Sequence, residues 1–331
     1  MKQLRIGVLG CANIAVRSVI PELCRHPDFK LAGVASRTHE KAVQLAGQYG
    51  CSPMRYAEMV EHPGIDAVYI PLPTGLHAEW VLQCLAAGKH VLCEKSLGCT
   101  YQEVQDMTTM ARAKRLLIME NFQFRFHLQH AWVKEILSSG TLGEIRCFRS
   151  SFGFPPFADG PANIRYQKTL GGGALLDAGA YTIKATTFML GKTFQVKAAT
   201  LRHSAECGVD LGGSIYLANG DGLVSETAFG FDSFYQCNYE LWGSKGKVTA
   251  KRAFTAPLGF SPEIVVETAA GVEVKAMPAD NQFANMLTHF GSTIRHRMFE
   301  SEYAENLLQA QLIQQTRDAS PNERLWQRVI R

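Results

Sequence analysis

Short apolar runs alternate with stretches of helical periodicity through the first third of the chain. The apolar runs lie at residues 5–9, 31–35, 67–70, 90–93 and 116–119, and each is apolar almost throughout. Helices are predicted between them at residues 14–24, 39–49, 77–87 and 101–113. Strands that are apolar on both faces and separated by helices indicate a doubly wound parallel sheet covered by helices on both sides.

The pattern changes after residue 121. A helix is predicted over residues 129–138, and strand-like segments then dominate, at residues 144–152, 195–202, 213–217, 223–229, 235–242, 247–250, 264–268 and 272–274. Turn sequences such as Asn219-Gly-Asp-Gly222 separate several of them. Strands without helices between them favour an open, largely antiparallel sheet. Helical periodicity returns at residues 283–297 and 303–316, so residues 122–331 are predicted to form an α+β domain.

The composition is that of an ordinary globular protein of 331 residues, with 46% hydrophobic and 19% charged residues. This length is typical of two domains. The formal net charge of +4 is spread without a basic block, which argues against a nucleic-acid partner. No signal-peptide pattern and no apolar run long enough to cross a bilayer are present. We therefore expect a soluble, cytoplasmic protein with no membrane partner.

Cysteine usage also bounds the class of protein. The nine cysteines are scattered and include no C-x-x-C pair, which is typical of a reduced protein with buried thiols. His127 and His130 could share one face of a helix, but no cysteine pair accompanies them at zinc-ligand spacing. We expect no bound metal.

The turn after the first strand has the composition of a dinucleotide-binding loop. It reads Gly10-Cys-Ala-Asn-Ile-Ala15, a G-x-A-x-x-A form of the glycine-rich fingerprint, between a strand and a helix. Gly10 allows the tight turn, Ala12 the close approach of the diphosphate, and Ala15 close helix packing. The turn alone is weak evidence, but its place at the first strand–helix crossover favours a cofactor-binding Rossmann domain at residues 1–121.

The end of the second strand bears on which cofactor is bound. Folds that use NAD carry an acidic residue here for the ribose hydroxyls. In this chain Ser36 and Arg37 stand there, and Lys41 follows one helical turn later. A guanidinium can bind a phosphate through two hydrogen bonds, so the pattern favours NADP(H), although an ordinary surface arginine is the alternative.

Two further strand ends supply candidates at the same edge of the sheet. After the third strand, Pro71 and Pro73 fix a loop, and His77 opens the next helix either beside the diphosphate or as a structural cap. After the fourth strand come Glu94 and Lys95. A cation here would stabilise the negative charge that develops on a carbonyl oxygen during hydride transfer, whereas a salt bridge is the structural alternative.

A glycine-rich loop at residues 171–173 opens a helix that is apolar almost all round. Asp177 and Tyr181 stand four residues apart, hence on one face of that helix, and Lys184 continues the same face. Buried polar side chains need partners. Tyr181 is a candidate general acid, and Asp177 would orient Lys95 or bind a substrate hydroxyl. A structural Tyr–Asp network without substrate is an equally good interpretation.

Together these motifs resemble the Gfo/Idh/MocA family of oxidoreductases over nearly the whole chain. The family motifs are Gly10-Cys-Ala-Asn-Ile-Ala15, Glu94-Lys95, Glu120-Asn-Phe122 and Gly171-Gly-Gly through Asp177-x-Gly-x-Tyr181. Within the family the chain is most similar to sugar 3-ketoreductases of deoxysugar pathways, which reduce nucleotide-linked keto sugars with NADPH. That likeness rests on residues 120–130, Phe154-Pro-Pro, Asn163-Ile-Arg-Tyr166, Trp242-Gly-Ser-Lys-Gly246 and Arg252-Ala-Phe-Thr-Ala-Pro257.

The resemblance assigns roles to individual residues. It places the family's lysine on Lys95 and its aspartate on Asp177. The family's usual histidine is replaced by Tyr181, as in the ketoreductases, which implies a phenolic proton donor. Ser96 replaces the family's proline, which removes a constraint on the backbone of Lys95. Ala12 and Ala15 replace fingerprint glycines, which crowds the diphosphate slightly.

The sequence thus predicts three sets of site residues. The catalytic set is Lys95, Tyr181 and Asp177. The cofactor-binding set is Gly10, Cys11, Ala12, Asn13, Ile14, Ser36, Arg37, Lys41, Pro71, Leu72, Pro73, His77, Glu94, Lys95, Asn121 and Arg165. The substrate-binding set is Phe122, Arg125, Asp177 and Tyr181.

The resemblance implies an NADP(H)-dependent oxidoreductase that reduces a keto group of a sugar, with a nucleotide-linked keto-deoxysugar as substrate. The alternatives are a dehydrogenase of a free aldose, inositol or diol, and a redox-assisted NAD-dependent glycosidase, against which Arg37 argues. A nucleotide needs aromatic and cationic groups, which Phe122, Phe124, Arg125, His127 and Arg165 could supply, but a core and surface charges equally explain these residues. The family's open sheet commonly packs against its copy, so a homodimer or homotetramer is expected.

Overall fold

The computed structural model describes residues 2–320, which form two compact units. The first contains the chain up to Asn121 together with Phe283–Ala310. The second contains Phe122–Gln282 and the described residues from Gln311 onward. Residues Phe283–Ala310, which the sequence pattern left with the second domain, thus belong to the first unit.

The first unit is built on a six-stranded parallel sheet. Its strands are β1 (Leu4–Leu9), β2 (Phe29–Ala35), β3 (Ser52–Met54), β4 (Ala67–Ile70), β5 (His90–Glu94) and β6 (Ile118–Asn121). The order across the sheet is β3-β2-β1-β4-β5-β6. The direction of winding reverses between β1 and β4, and ligands of doubly wound sheets bind beyond the carboxyl ends of the strands at this point.

The second unit is built on an eight-stranded sheet. Its strands are β7 (Ile145–Gly153), β8 (Gln195–His203), β9 (Asp210–Ala218), β10 (Val224–Gly230), β11 (Gln236–Gly243), β12 (Gly246–Lys251), β13 (Glu263–Thr268) and β14 (Gly271–Ala276). The order is β14-β13-β12-β11-β7-β10-β9-β8. Neighbours are antiparallel except β7 and β10, which run parallel. The predictions of a doubly wound parallel sheet and of an open, largely antiparallel sheet are confirmed.

The α-helices of the described residues are α1 (Ile20–Arg25), α2 (His39–Tyr49), α3 (Tyr56–Glu61), α4 (His77–Ala86), α5 (Tyr101–Lys114), α6 (Leu128–Ser138), α7 (Ala180–Leu190), α8 (Gln282–His296) and α9 (Phe299–Asp318). Local sequence fixes several ends. Thr100 caps α5 by accepting a hydrogen bond from the backbone of Glu103. Gly50 ends α2 in the left-handed conformation.

The C-terminal helices complete the first unit through specific contacts. Phe290 of α8 is fully buried and stacks on Phe29, with ring centres 6.2 Å apart. From α9, the hydroxyl of Tyr303 donates to the carbonyl oxygen of Leu116 at 2.5 Å, and the amide of Asn306 donates to that of Ile118 at 3.0 Å. These contacts cover the β6 edge of the sheet, where the chain leaves the last strand.

Helix α7 covers one face of the second sheet. Ile183 and Ala185 are fully buried, and the Thr186 hydroxyl lies 2.8 Å from that of Ser225 on β10. The opposite face of the sheet carries polar and aromatic side chains, among them Arg149, Tyr216 and Trp242. No helix of the described residues is both long enough and apolar enough to cross a membrane.

Candidate active site

Gly10 makes the turn at the carboxyl end of β1. Its φ of +132° lies where residues with a side chain are strained. A Cβ atom at residue 10 would also lie 2.9 Å from Cδ2 of Leu72, in the loop after β4, so that a larger residue would press on this side chain. Cys11 and Ala12 are half-buried and Asn13 is exposed, and burial raises the pKa of the Cys11 thiol. The turn leaves an open backbone edge of the kind that accepts a diphosphate.

Two cations follow the second strand. Arg37 and Lys41 are exposed, whereas Ser36 is half-buried and accepts a hydrogen bond from the backbone of Thr38 at 3.3 Å. Neither cation forms an ion pair with another residue in the part of the chain that the structure describes. They are therefore available to a phosphate group beyond the end of β2.

His77 is fully buried at the start of α4. Its Nδ1 lies 2.8 Å from the carbonyl oxygen of Ser96, and its Nε2 lies 2.7 Å from that of Leu72. Burial lowers the pKa of the ring. The imidazole therefore connects the loop after β4, which includes Pro71 and Pro73, to the loop after β5. These contacts favour the structural interpretation over direct contact with the cofactor.

Glu94 ends β5 within a small hydrogen-bonded network. One carboxylate oxygen accepts from the hydroxyl of Tyr69 and from the side-chain amide of Asn121, both at 2.7 Å. Burial raises the pKa of Glu94, while these two hydrogen bonds and the charge of Lys95 act in the opposite direction. Lys95 is half-buried, and its peptide bond to Ser96 is cis. The network fixes the strand end from which Lys95 projects.

The first unit fits a nicotinamide dinucleotide. Besides the open turn at Gly10, the side-chain oxygen of Asn121 is buried and accepts no hydrogen bond from residues 2–320. A buried acceptor of this kind needs a donor, and a carboxamide supplies one. Gly10, Ala12 and Asn13 would hold the diphosphate, Arg37 and Lys41 a ribose phosphate, and Asn121 the nicotinamide end.

In the second unit, the glycine-rich loop is fixed by a buried carboxylate. Gly173 has a φ of +118°, and a Cβ atom there would lie within 2.4 Å of the side-chain oxygen Oδ1 of Asp210. The other oxygen of Asp210 accepts a hydrogen bond from the backbone of Leu175 at 2.6 Å. Burial raises the pKa of Asp210. This arrangement starts the helix at a defined position.

Asp177 lies in a π-helical turn, Leu175–Gly179, directly before α7. Its carboxylate accepts a hydrogen bond from Nε of Arg165 at 2.5 Å and raises the pKa of that guanidinium. The guanidinium also lies 4.7 Å from the centre of the Phe157 ring. The backbone of Arg165 is held as well, because Gly173 donates to its carbonyl oxygen at 2.9 Å. Arg165 is therefore built into the second unit beside Asp177.

Tyr181 is almost fully buried, with 6% of its surface exposed. Its ring packs within 5.1 to 5.8 Å, centre to centre, of the rings of Phe122, Phe124, Phe152 and Phe254. Its hydroxyl lies 3.2 Å from Nε2 and 3.3 Å from Oε1 of Gln123. The apolar cage fixes the ring, and the amide can either donate to the hydroxyl or accept from it.

The structure places the other predicted residues of the second unit in different surroundings. Phe122 and Phe124 are fully buried, so their rings offer no face to a ligand and form part of the core. Arg125 is half-buried with its guanidinium 5.1 Å from the centre of the Phe126 ring. Lys184 is buried with its ammonium 5.5 Å from the centre of the Phe122 ring.

Sequence reasoning did not identify Gln123 or Asp210 as site residues. Gln123 lies within residues 120–130, on which the likeness to the sugar 3-ketoreductases partly rests. It directly follows Phe122, which was predicted to bind substrate, and this position could have identified it. Asp210 gave no signal, because it lies on β9, far along the sequence from the glycine-rich loop that it fixes. Among residues 2–320, no group of three or more His, Cys, Asp or Glu side chains is placed to hold a metal ion.

A parallel sheet with a dinucleotide turn, and a separate unit that presents a caged tyrosine and an aspartate, define an oxidoreductase of two units. Residues 4–122 match the family model described as oxidoreductase family, NAD-binding Rossmann fold, and residues 130–249 match that of the GFO/IDH/MocA C-terminal domain. The chain belongs to the Gfo/Idh/MocA family of oxidoreductases. The resemblance inferred from the sequence is confirmed.

Individual relatives are similar over most of the chain. A dTDP-3,4-didehydro-2,6-dideoxy-alpha-D-glucose 3-reductase of Saccharopolyspora spinosa is 41% identical over 89% of this chain and 88% of its own length. A D-xylose 1-dehydrogenase (NADP(+)) of Haloferax volcanii is 30% identical over 88% of this chain and 89% of its own length.

Among solved structures, a 3-ketoreductase from Actinomadura kijaniata in complex with NADP and TDP-benzene is 37% identical. It superposes with a TM-score of 0.92 over 96% of this chain and 98% of its own. Solved variants of that enzyme include a lysine changed to alanine or glutamate and a tyrosine changed to phenylalanine.

Proposed function

We propose that this protein reduces the 3-keto group of a nucleotide-linked deoxysugar with NADPH. The observation that carries the proposal is the 41% identity, over 89% of the chain, to a reductase of a dTDP-linked 3,4-didehydro-2,6-dideoxy sugar. The caged Tyr181 supports it, because a phenol at this position is the proton donor that a ketone reduction requires. The prediction from the sequence of an NADP(H)-dependent sugar ketoreductase agrees with these relatives.

The chemistry assigns one task to each polar group. Bound NADPH would supply the hydride for the carbonyl carbon. The oxygen gains negative charge as the hydride arrives, and the ammonium of Lys95 stabilises that charge. Tyr181 donates the proton that completes the hydroxyl. Asp177, held by Arg165, accepts a hydrogen bond from a hydroxyl of the sugar and so orients the ring.

Cofactor choice follows from the end of β2. A phosphate on the adenosine ribose would meet Arg37 and Lys41, and β2 is followed directly by Ser36 rather than by an acidic residue that would bind the ribose hydroxyls. We propose that the other residues of the cofactor-binding set predicted from the sequence contact the cofactor. His77 and Glu94 are the exceptions, because they act by holding the loops after β4 and β5 in place. An NADP-bound relative that is 37% identical supports the same cofactor.

A substrate screen with purified protein tests the proposal. We expect the protein to oxidise NADPH when a dTDP-linked 3-keto-2,6-dideoxy sugar is supplied. With NADH in place of NADPH, we expect a far lower rate. Tyr181→Phe and Lys95→Ala should each lower kcat by about a hundredfold or more while NADPH still binds. Full turnover in both variants would refute the roles given to these side chains.

The second candidate is oxidation of a free aldose. It is favoured by one relative, the D-xylose 1-dehydrogenase that is 30% identical. The same screen separates the two, because reduction of NADP+ by free pentoses, with no turnover of the nucleotide-linked ketone, would assign the protein to this branch.

We also propose that the protein works in the cytoplasm as a homodimer or homotetramer. All nine cysteines are thiols, which suits a reducing compartment. Tyr216 and Trp242, 40% and 49% exposed, lie on the face of the second sheet opposite α7 and would be covered by a second copy. Light scattering should give a dimer or larger for the protein and a smaller species for Trp242→Glu.

A further inference from the structure

A buried glutamate stands near the carboxyl end of β6, beside the strand that leads to Lys95. Glu120 is 3% exposed, and its Oε1 accepts a hydrogen bond from the backbone N–H of Leu97 at 2.8 Å. Burying a carboxylate is costly unless it accepts hydrogen bonds. The bond that Glu120 accepts comes from a segment only two residues beyond Lys95.

The register of β5 and β6 shows how this contact arises. Glu120 pairs with Cys93, and Asn121 pairs with Glu94. Successive side chains of a strand point to opposite faces, so Glu120 and Asn121 reach the end of β5 from the two sides of the sheet. On one side, Asn121 donates to the carboxylate of Glu94 at 2.7 Å. On the other, Glu120 accepts from Leu97. Two adjacent residues of β6 thus hold the chain before and after the lysine.

A third side chain holds the residue between these two points. Nδ1 of His77 lies 2.8 Å from the carbonyl oxygen of Ser96. Ser96 and Leu97 are 2% and 1% exposed, whereas Lys95 is half-buried. The segment is therefore fixed at residues 94, 96 and 97, and the lysine side chain starts from a backbone with little freedom to move.

The direction of this backbone matters because a lysine ammonium lies at the end of a flexible four-carbon stem. A small rotation of the backbone displaces the charge, and a misplacement of about 1 Å can lower a catalytic rate by about a hundredfold. Ser96 stands where the family has a proline, whose ring would restrict the backbone of Lys95. In this chain, hydrogen bonds from neighbouring elements restrict it.

We propose that Glu120 is a positioning residue for the reduction, because its hydrogen bond to Leu97 fixes the backbone from which Lys95 reaches the carbonyl oxygen. This inference rests on the proposed function, since it concerns the lysine that stabilises the charge developing on that oxygen. Glu120 acts through this hydrogen bond and not by contact with the reacting atoms. Because Lys95 acts on the transition state, loss of the bond should lower kcat and leave KM almost unchanged.

The test is a double-mutant cycle in kcat between Glu120 and Lys95. Glu120→Met keeps the volume of the side chain but removes the acceptor, and should lower kcat by about tenfold. Glu120→Gln keeps an acceptor oxygen and should retain kcat within about threefold of the wild-type value. In the Lys95→Ala background, Glu120→Met should lower kcat by less than a further factor of about two, because a residue that acts through the lysine has no effect once the lysine is absent.

Glu302 provides the matched control. It is a glutamate of the same unit, 5% exposed, whose Oε1 lies 2.9 Å from Nε2 of His289. Glu302→Met should lower the midpoint of thermal unfolding, as Glu120→Met does, but should leave kcat unchanged. The dissociation constant of NADPH, measured by fluorescence titration, should stay within about twofold of the wild-type value in every variant, which also reports that the variants are folded.

Hydrogen exchange gives a second measurement that needs no substrate. The backbone N–H of Leu97 is protected by its bond to Glu120, so Glu120→Met should speed its exchange by about tenfold or more. Glu120→Gln should leave the exchange close to the wild-type rate. Unchanged exchange in Glu120→Met would overturn the inference.

Failure of this inference can be told apart from failure of the proposed function. Equal losses of kcat from Glu120→Met in the wild-type and Lys95→Ala backgrounds would overturn the inference and leave the ketoreductase assignment intact. Equal losses in Glu120→Gln and Glu120→Met would do the same. A protein that oxidises free aldoses and reduces no nucleotide-linked ketone would refute the proposed function. The cycle would then be measured on aldose oxidation, in which the same lysine faces the same oxygen, and its result would decide this inference.

Discussion

Arg37 is the residue on which discrimination between the two nicotinamide cofactors depends. Its guanidinium is exposed beyond β2, where a 2′-phosphate would add a charge that NADH lacks. Arg37→Ala should raise the dissociation constant of NADPH by about ten- to hundredfold and change that of NADH little. Fluorescence titration with both cofactors measures this. Arg25→Ala, an arginine of the same unit whose side chain is 69% exposed, should leave both constants unchanged, and an unaltered preference in Arg37→Ala would exclude the role.

Gln123 is expected to position the hydroxyl of Tyr181, which it contacts at 3.2 Å. Gln123→Leu keeps the volume but removes the hydrogen bond, so the phenol loses the partner that sets its orientation. We expect kcat to fall by about five- to tenfold, the value of one such bond, with KM little changed. Steady-state kinetics at saturating NADPH measures the separation of kcat from KM.

Gln129 provides the matched control for that substitution. It is a fully buried glutamine of the same unit whose side-chain atoms have no hydrogen-bond partner within residues 2–320. Gln129→Leu should therefore leave kcat unchanged. An equal loss of kcat in both variants would mean that the effect of Gln123→Leu is a general loss of packing.

Residue types and spacing predicted only part of the candidate site. Asp177 and Tyr181 are four residues apart in one helical segment, so their spacing in the sequence was enough to predict that they lie on the same face. Arg165, the partner of Asp177, lies in a 3₁₀ turn, Ile164–Tyr166, and a second such turn, Lys168–Leu170, precedes the glycine-rich loop, so no periodicity connects it to Asp177. The burial of Phe122 depends on rings from distant elements, Phe152 and Phe254 among them, so its type alone could not tell a core residue from a substrate contact.

At the scale of elements, the glycine-rich loop before α7 depends on Gly173. Gly173→Ala would place a methyl group within 2.4 Å of the buried carboxylate of Asp210 and keep a φ of +118°. Both the collision and the strained backbone destabilise the fold, by about 2–4 kcal/mol together. Thermal unfolding should show a clearly lower midpoint. Gly220→Ala, at a glycine with open space around it, should shift the midpoint little.

Elements with a strong local pattern were predicted closely, and short ones were missed. Helix α2 and strand β4 have the predicted bounds, because Gly50 ends the helix and a fully buried apolar run forms the strand. Strand β3 has three residues and helix α3 has six, too few for a period to be visible. The helix predicted at residues 14–24 is a π-helical turn, Ala15–Val19, followed by α1, a change of winding that hydrophobic spacing does not distinguish.

For the whole molecule, His130 makes stability depend on pH. Its Nδ1 lies 2.8 Å from the hydroxyl of Tyr239 and its Nε2 lies 2.9 Å from the carbonyl oxygen of Ala253, which suits a neutral ring. Burial lowers the pKa of this ring from 6.5 to about 3. The unfolded chain therefore binds a proton that the folded chain does not, and stability falls as the pH drops from about 6.5 towards 3.

Thermal unfolding between pH 7 and pH 4.5 tests this dependence. His130→Gln retains a donor and an acceptor but cannot be protonated. It should unfold at a lower temperature at pH 7, yet its midpoint should fall less steeply with pH than that of the wild type. His39→Gln, at an exposed histidine, should retain the wild-type slope. A wild-type slope in His130→Gln would show that other groups govern the acid sensitivity.

The packing of α8 and α9 on the first unit has a consequence for how the protein is made. Phe29, Leu116 and Ile118 are translated well before their partners Phe290, Tyr303 and Asn306, and the two hydrogen-bonded pairs are separated by 187 and 188 residues in the sequence. The cofactor-binding unit therefore cannot complete its fold during synthesis of its own strands, and its exposed sheet must wait until α8 and α9 have been translated. Nascent chains stalled before α8 should accordingly be held by chaperones and should not bind NADPH.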